Sequence, residues 1–336
     1  MNLILFFLSG LAVCGLSIII LLPIATNLGL VDRPNDRKKH EGMPALVGGV
    51  AIYFSLLCLS AFSEIITSQL LVCAGLVVFL GVWDDRFTIS AKYKLLAQTS
   101  ITLAYILSTE TFILSLGTLP GEVELYLGNF GIIASLIAIV GVMNAFNMID
   151  GIDGLAASLG ILAIGFLLFA MFFGDRSLNP HTIKLTIFVL GALIAFLFFN
   201  LFGVNNKIFL GDAGAMLLGF LLAVWLIEAS QSEPISDTFP ASVVSWVIAL
   251  PVFETISLSI RRIQSGKSPF SADRQHLHHV LLDRGFSSFS CLTIIASLAF
   301  AFFAFGVAIS QFSGILSGIA FLLTFSLYHW ASIKYA

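Results

Sequence analysis

The chain has 336 residues, of which 58% are hydrophobic and only 10% charged, and its formal net charge is −3 at pH 7. A soluble domain of this length needs far more polar surface, so the composition, with mean hydropathy +1.02, excludes one and points to an integral membrane protein. The mildly acidic balance, with a pI of about 6.0, excludes a basic nucleic-acid binder.

A membrane helix takes about 17–25 mostly apolar residues. In chain order the candidates are 3–26, 45–63, 66–83, 94–109, 128–146, 155–174, 184–201, 213–229, 241–260, 290–310 and 313–333. That makes eleven, or ten if two abutting stretches merge, and the expected fold is an all-α polytopic membrane protein. The opening MNLILFFLSG lacks a basic n-region and a small-x-small cleavage site, so it reads as a retained first span. No period of about 20–50 residues recurs as a repeat. Residues 110–127 alternate apolar and polar around Leu-Pro-Gly, which predicts a small β-hairpin between spans four and five. Cys14, Cys58, Cys73 and Cys291 form no CxxC pair and read as small packed hydrophobes.

Charge sets the orientation. With the N-terminus outside, Arg33, Arg37, Lys38, Lys39, Arg86, Lys92, Lys94, Lys207, Arg261, Arg262, Lys267, Arg274, Arg284 and Lys334 share one side, which leaves only Arg176 and Lys184 of the 16 basic residues on the other. The positive-inside rule puts the larger set, and the C-terminus, in the cytoplasm, and the hairpin in the periplasm.

The unusual polar residues then gather at that cytoplasmic face. The loop after span three, GVWDDRFTISAKYKLLAQ, carries Asp84, Asp85 and Lys94. The next, NAFNMIDGIDGLAAS, carries Asn147, Asp150 and Asp153, the last two being the only charges between Gly131 and Phe173. Three residues apart, they would share a face of a helix, and carboxylates at membrane depth are costly and usually functional. NKIFLGDAGAMLLGF sets Asp212 between two glycines, where it serves either a site or the N-cap of the following span. The longest loop, RRIQSGKSPFSADRQHLHHVLLDRGF, holds His276, His278 and His279. A zinc site there would lack any cysteine. His181 and His329 read as structural, and Glu254, inside span nine, as either a buried hydrogen-bonded acid or a functional one.

Acids without thiolates favour Mg²⁺ or Mn²⁺ over zinc, and such an ion commonly bridges a diphosphate during phosphoryl transfer. No GxxxxGK[ST] loop is present, which argues against a P-loop nucleotide site. A transporter would scatter its acids near the midplane, whereas these collect at span ends.

Five strings, DRPNDRKKHEGMPALVGG (32–49), DDRFTISAKYKLLAQ (84–98), NAFNMIDGIDGL (144–155), KIFLGDAG (207–214) and SPFSADRQHLHH (268–279), occur in an order that resembles the bacterial polyprenyl-phosphate N-acetylhexosamine-1-phosphate transferases. The likeness is greatest to the branch that uses UDP-GlcNAc and initiates O-antigen and enterobacterial common antigen synthesis. The related UDP-MurNAc-pentapeptide translocase typically reads like TPTMGG where this chain has MPALVGG.

The resemblance implies a single transferase domain over 1–336 in the bacterial inner membrane, with active-site loops at about 27–44, 84–93, 147–154, 202–212 and 261–289. It implies transfer of GlcNAc-1-phosphate from UDP-GlcNAc to undecaprenyl phosphate, with release of UMP. UDP-GalNAc or UDP-MurNAc-pentapeptide as donor, and a homodimer, remain compatible with it. By the same likeness Asp212 would ligate Mg²⁺ (or Mn²⁺), with Asn147 as second ligand. Phe209 would stack on uracil, Lys94 would lie near the phosphates, and His276, His278 and His279 would serve the sugar nucleotide. Arg274 joins them on charge and position alone. Asp84, Asp85, Asp150 and Asp153 match the acids assigned to catalysis. Their roles stay open between a base that deprotonates the lipid phosphate, direct in-line attack by that phosphate, and a covalent aspartyl-phosphate. A phosphate monoester with a second pKa of about 6 is mostly dianionic at neutral pH, which favours direct attack.

Overall fold

The structure, a computed structural model, describes residues 2–32, 43–119, 123–173, 179–203, 207–231, 241–269 and 274–335. Of the basic residues that orient the chain, Arg33, Arg37, Lys38, Lys39 and Arg176 lie outside these.

Helix α1 (Leu3–Leu28) begins where the Asn2 side chain accepts from the Ile4 N–H, and it ends at Gly29, whose left-handed φ of 70° lets its N–H turn back on Ala25 and Thr26. Helices α2 (Gly48–Phe62), α3 (Ser68–Phe87), α4 (Ala91–Thr109), α5 (Phe130–Ile149), α6 (Leu155–Phe173), α7 (Pro180–Phe202) and α8 (Gly211–Gln231) follow. Thr67 caps α3, and Asn179 with Pro180 opens α7. Between α4 and α5, strands β1 (Ser115–Leu119) and β2 (Val123–Tyr126) pair antiparallel, Ser115 opposite Tyr126. The Gln231 amide at the end of α8 bonds both the N–H and the carbonyl of Ser115, which ties β1 to the helical body.

The ninth expected span, 241–260, is two helices, α9 (Ala241–Val247) and α10 (Ala249–Gln264). Pro251 lacks an N–H and fits only the first turn of a helix, so the chain breaks at Ile248 and restarts just before it. A short α11 (Leu277–Asp283), also unexpected, precedes α12 (Ser288–Ser310) and α13 (Gly314–Tyr335).

Among the described residues, six helices are long and apolar enough to cross a membrane: α1, α5, α7, α8, α12 and α13. They differ sharply in burial. On α13, Leu322, Leu323, Leu327 and Trp330 are all more than half exposed, an outward apolar face suited to lipid. Helix α8, apolar all round, is buried along nearly its whole length and packs against α2, α3, α5 and α6. A Cβ at Gly49 of α2 or at Gly81 of α3 would collide with the backbone at Gly214 or Ala213, so glycine at these two positions lets α8 start deep between them. The central helix therefore delivers Asp212 to the middle of one end of the bundle. The four cysteines are free thiols, all but Cys58 buried.

Candidate active site

Lys94 lies in the first turn of α4, with its side chain about one-tenth exposed. Its Nζ reaches Asp84 Oδ2 at 2.7 Å, Asp212 Oδ2 at 2.8 Å and Asn147 Oδ1 at 3.0 Å. A desolvated ammonium costs several kcal/mol unless it is paired and hydrogen-bonded. Here three oxygens, from the ends of α3, α8 and α5, meet that demand together.

The two neighbouring acids of α3 do different work. Asp84 Oδ1 accepts the Ile89 N–H at 2.7 Å, which closes the turn from α3 to α4 and holds Lys94 in reach. Asp85 points the other way, accepting the N–H of Asp212 at 3.0 Å and that of Ala213 at 3.4 Å. These amides are among the orphan donors of the first turn of α8. The residue before Asp212, Gly211, has φ of 71°, and a Cβ there would sit 2.7 Å from Asp85 Oδ2. An acid of another helix thus caps α8. Asp212, which the sequence offered as a cap, turns its own carboxylate to Lys94 instead.

Asp150 and Asp153 do not share a helix face. Helix α5 ends at Ile149, and the stretch 150–154 is a turn in which Gly154 adopts φ of 73°. Two glycines in five residues, Gly151 and Gly154, stop the helix that the three-residue spacing suggested. Burial, and then the charges of Asp212, Asp85 and Asp153, push the Asp150 carboxyl up to about 8, so it keeps its proton at neutral pH. Asp153 pairs with Lys207, Nζ to Oδ2 at 2.6 Å.

Lys207 also stands 5.7 Å from the centre of the Phe209 ring. The segment around Phe209 is pinned by backbone bonds: its N–H donates to the Ala45 carbonyl at 2.8 Å, and its own carbonyl accepts from Gly48 at 3.1 Å.

The histidines cluster at the start of α11, the His276 and His278 rings stacked at 5.3 Å and those of His278 and His279 tilted to each other at 4.3 Å. His278 is buried against Gly151, where any Cβ would run into its ring. Burial, and then His279 and His276, push it down to about 3, so it is a neutral imidazole at physiological pH. Arg274 pairs with Asp283 at 3.0 Å, both side chains exposed.

The sequence pattern of glycosyl transferase family 4 matches residues 67–230, the start of α3 almost to the end of α8. Undecaprenyl-phosphate α-N-acetylglucosaminyl 1-phosphate transferase of Escherichia coli K12 is 36% identical over 319 residues, covering 91% of this chain and 84% of its own. The Salmonella typhi protein of the same name is 35% identical with the same coverage, and that of Haemophilus influenzae is 34% identical over 83% of this chain and 79% of its own. The chain belongs to glycosyl transferase family 4.

In this family 4 chain the fold brings together Asp84, Lys94, Asn147 and Asp212 around one ammonium, with Asp85 behind them. Asp150 is close enough for their charges to act on it, and His278 abuts the same turn. Phe209 and Asp153 join through Lys207. Arg274 stands apart, paired with Asp283 of α11. Among the described residues no three His, Cys, Asp or Glu side chains form a ready metal cage. The donors around Lys94 are nevertheless all oxygens, converging on a position already held by a cation. That suits Mg²⁺, which takes one or two carboxylates and fills its shell with water and substrate phosphate.

Two polar partners escape a reading of the sequence. Lys207 stands inside the KIFLGDAG string, two residues before Phe209, and that adjacency was its only signal. Gln98, four residues after Lys94, is fully buried. It accepts from Asn144 Nδ2 at 2.8 Å and donates to Met216 Sδ at 3.0 Å, joining α4, α5 and α8 one turn beneath the Lys94–Asn147 bond.

Proposed function

We propose that this protein transfers GlcNAc-1-phosphate from UDP-GlcNAc to undecaprenyl phosphate, giving undecaprenyl-diphosphate-GlcNAc and UMP. The observation that carries this reading is the ammonium of Lys94 held by Asp84, Asp212 and Asn147 at the converging ends of four helices. It is supported by relatives at 34–36% identity that bear the name of this activity.

A phosphate oxygen of the lipid attacks the β-phosphorus of the sugar nucleotide. The bond from that phosphorus to the bridging oxygen breaks, and UMP leaves with the electron pair, so the anomeric bond is untouched. The lipid phosphate is mostly dianionic at neutral pH, with a second pKa of about 6, and needs no base. Asp150 is protonated at neutral pH, so it is not a ready proton acceptor there, and the Asp85 carboxylate is engaged as the cap of α8. Asp212 and Asn147 would hold Mg²⁺, which when bound neutralises charge on the diphosphate. Lys94 stabilises the charge that moves toward the leaving oxygen. Phe209 offers a flat apolar face to the uracil, and Lys207 beside it a cation for phosphate. His276 and His279 line the sugar-nucleotide side, with neutral His278 as packing beneath them.

The same reading takes the chain as one transferase unit of eleven spans in the inner membrane, with its acids at the cytoplasmic face and the β1–β2 pair in the periplasm. At that cytoplasmic face a lipid-borne phosphate and a soluble nucleotide sugar meet.

The test is product identity. Purified protein in detergent with UDP-GlcNAc, undecaprenyl phosphate and Mg²⁺ should release UMP only when the lipid phosphate is present. Release of UDP would mean cleavage at the sugar carbon and overturn the mechanism. No nucleotide release with any UDP-sugar would overturn the enzymatic reading.

A further inference from the structure

Glu254 has no part in the chemistry above, yet it is a carboxylate only 3% exposed in the middle of α10. One oxygen accepts the N–H of Leu277, the first residue of α11, at 2.6 Å. The other accepts the Tyr328 hydroxyl of α13. His276 Nδ1 lies 3.7 Å from the first oxygen. Two turns further along α10, Arg261 donates to the Gln275 carbonyl at 3.0 Å. Residues seven apart on a helix share a face, so the backbone on either side of His276 is gripped from one side of α10. The far side of the histidine cluster rests on the acid turn, through His278 against Gly151. Burying a carboxylate is costly, and an apolar side chain of similar size would serve packing at less expense.

Building on the transferase reading, we infer that Glu254 is a positioning residue. It sets the height and direction of the histidine motif over the Asp150–Asp153 turn, so that the imidazoles meet the sugar nucleotide. It touches neither substrate.

Glu254→Leu, Glu254→Gln and Tyr328→Phe in the full-length, detergent-purified protein test this with two independent readouts. The first is amide hydrogen exchange of the peptide spanning 274–284, which needs no activity. The second is KM for UDP-GlcNAc set against kcat and against KM for undecaprenyl phosphate. Losing a hydrogen bond to a charged group is worth roughly ten- to a hundredfold. Glu254→Leu should speed exchange at Leu277 by that factor and raise KM for UDP-GlcNAc alongside it, leaving KM for the lipid near that of the unaltered protein. Glu254→Gln keeps an acceptor oxygen and should restore most of both. Tyr328→Phe, which removes one of two tethers, should fall between.

Unaltered exchange and KM in Glu254→Leu would overturn the inference. So would equal rises in both KM values with no rescue by glutamine, the mark of a merely structural acid. Should Glu254→Leu fail to fold, the glutamine and Tyr328 variants carry the same comparison. Absence of UMP from the unaltered protein would defeat the transferase reading alone, because the exchange experiment still reports on the tether.

Discussion

Lys94 does for this site what no single acid can. Its ammonium compensates two carboxylates and orders an amide, so charges that would repel one another share a small, partly buried space. Burial, and then the surrounding acids, leave Asp150 protonated up to about pH 8. An acid whose pKa is raised in the folded state holds a proton that the unfolded chain has lost above about 3.8. Folding then takes up a proton between roughly pH 4 and 8, and stability declines as pH rises through that window. In detergent without divalent cation, the melting temperature should fall between pH 5 and 8, and Asp150→Asn should flatten the slope. Parallel curves for the two proteins would remove Asp150 from the linkage.

The candidate residues, expected on loops, sit mostly on helix ends. Helix α3 extends to Phe87 and so takes in Asp84 and Asp85; α4 starts at Ala91, before Lys94; α8 starts at Gly211, so Asp212 belongs to its first turn. Rigid ends hold a constellation better than loops do, and beneath them the Gln98–Asn144 bond locks α4 to α5. The depth of α8 depends on Gly81. Gly81→Ala would press a methyl into the backbone at Ala213 and push the Asp212 turn off Asp85. Overpacking of this kind costs about 1–3 kcal/mol, and a shift of about 1 Å in a reacting group costs on the order of 10²-fold in rate. Activity should fall by that order, whereas Gly318→Ala, with open space around it, should leave it unchanged. Equal rates for both variants would sink this account of helix packing. Periodicity and hydropathy find a helix well, but its last turn depends on which partner satisfies the end groups, and for α8 that partner is 127 positions away.

For the whole molecule, the proposed orientation, which rests on the distribution of basic residues, sets the acid-bearing end at the cytoplasmic face. Lys92 and Glu110 are both exposed, at opposite ends of α4. With Cys58 replaced, Lys92→Cys should react with an impermeant thiol reagent only in inverted membrane vesicles, and Glu110→Cys only in right-side-out ones. The reverse pattern would invert the topology.

The amino-acid sequence by itself determined the membrane class, the apolar stretches, the family and the residue types of the site, because each rests on local composition or on short ordered strings. Only the tertiary structure decided how those residues are used. Asp85 serves as a cap and Asp84 as a hinge for Lys94; Asp150 and Asp153 part company in a glycine turn; Arg274 turns to Asp283 of α11; and Glu254 anchors the histidine motif. For Asp85 and Glu254 the deciding partners lie on other helices, and hydrogen-bond satisfaction in a buried, low-dielectric space leaves no slack for a partner that is missing.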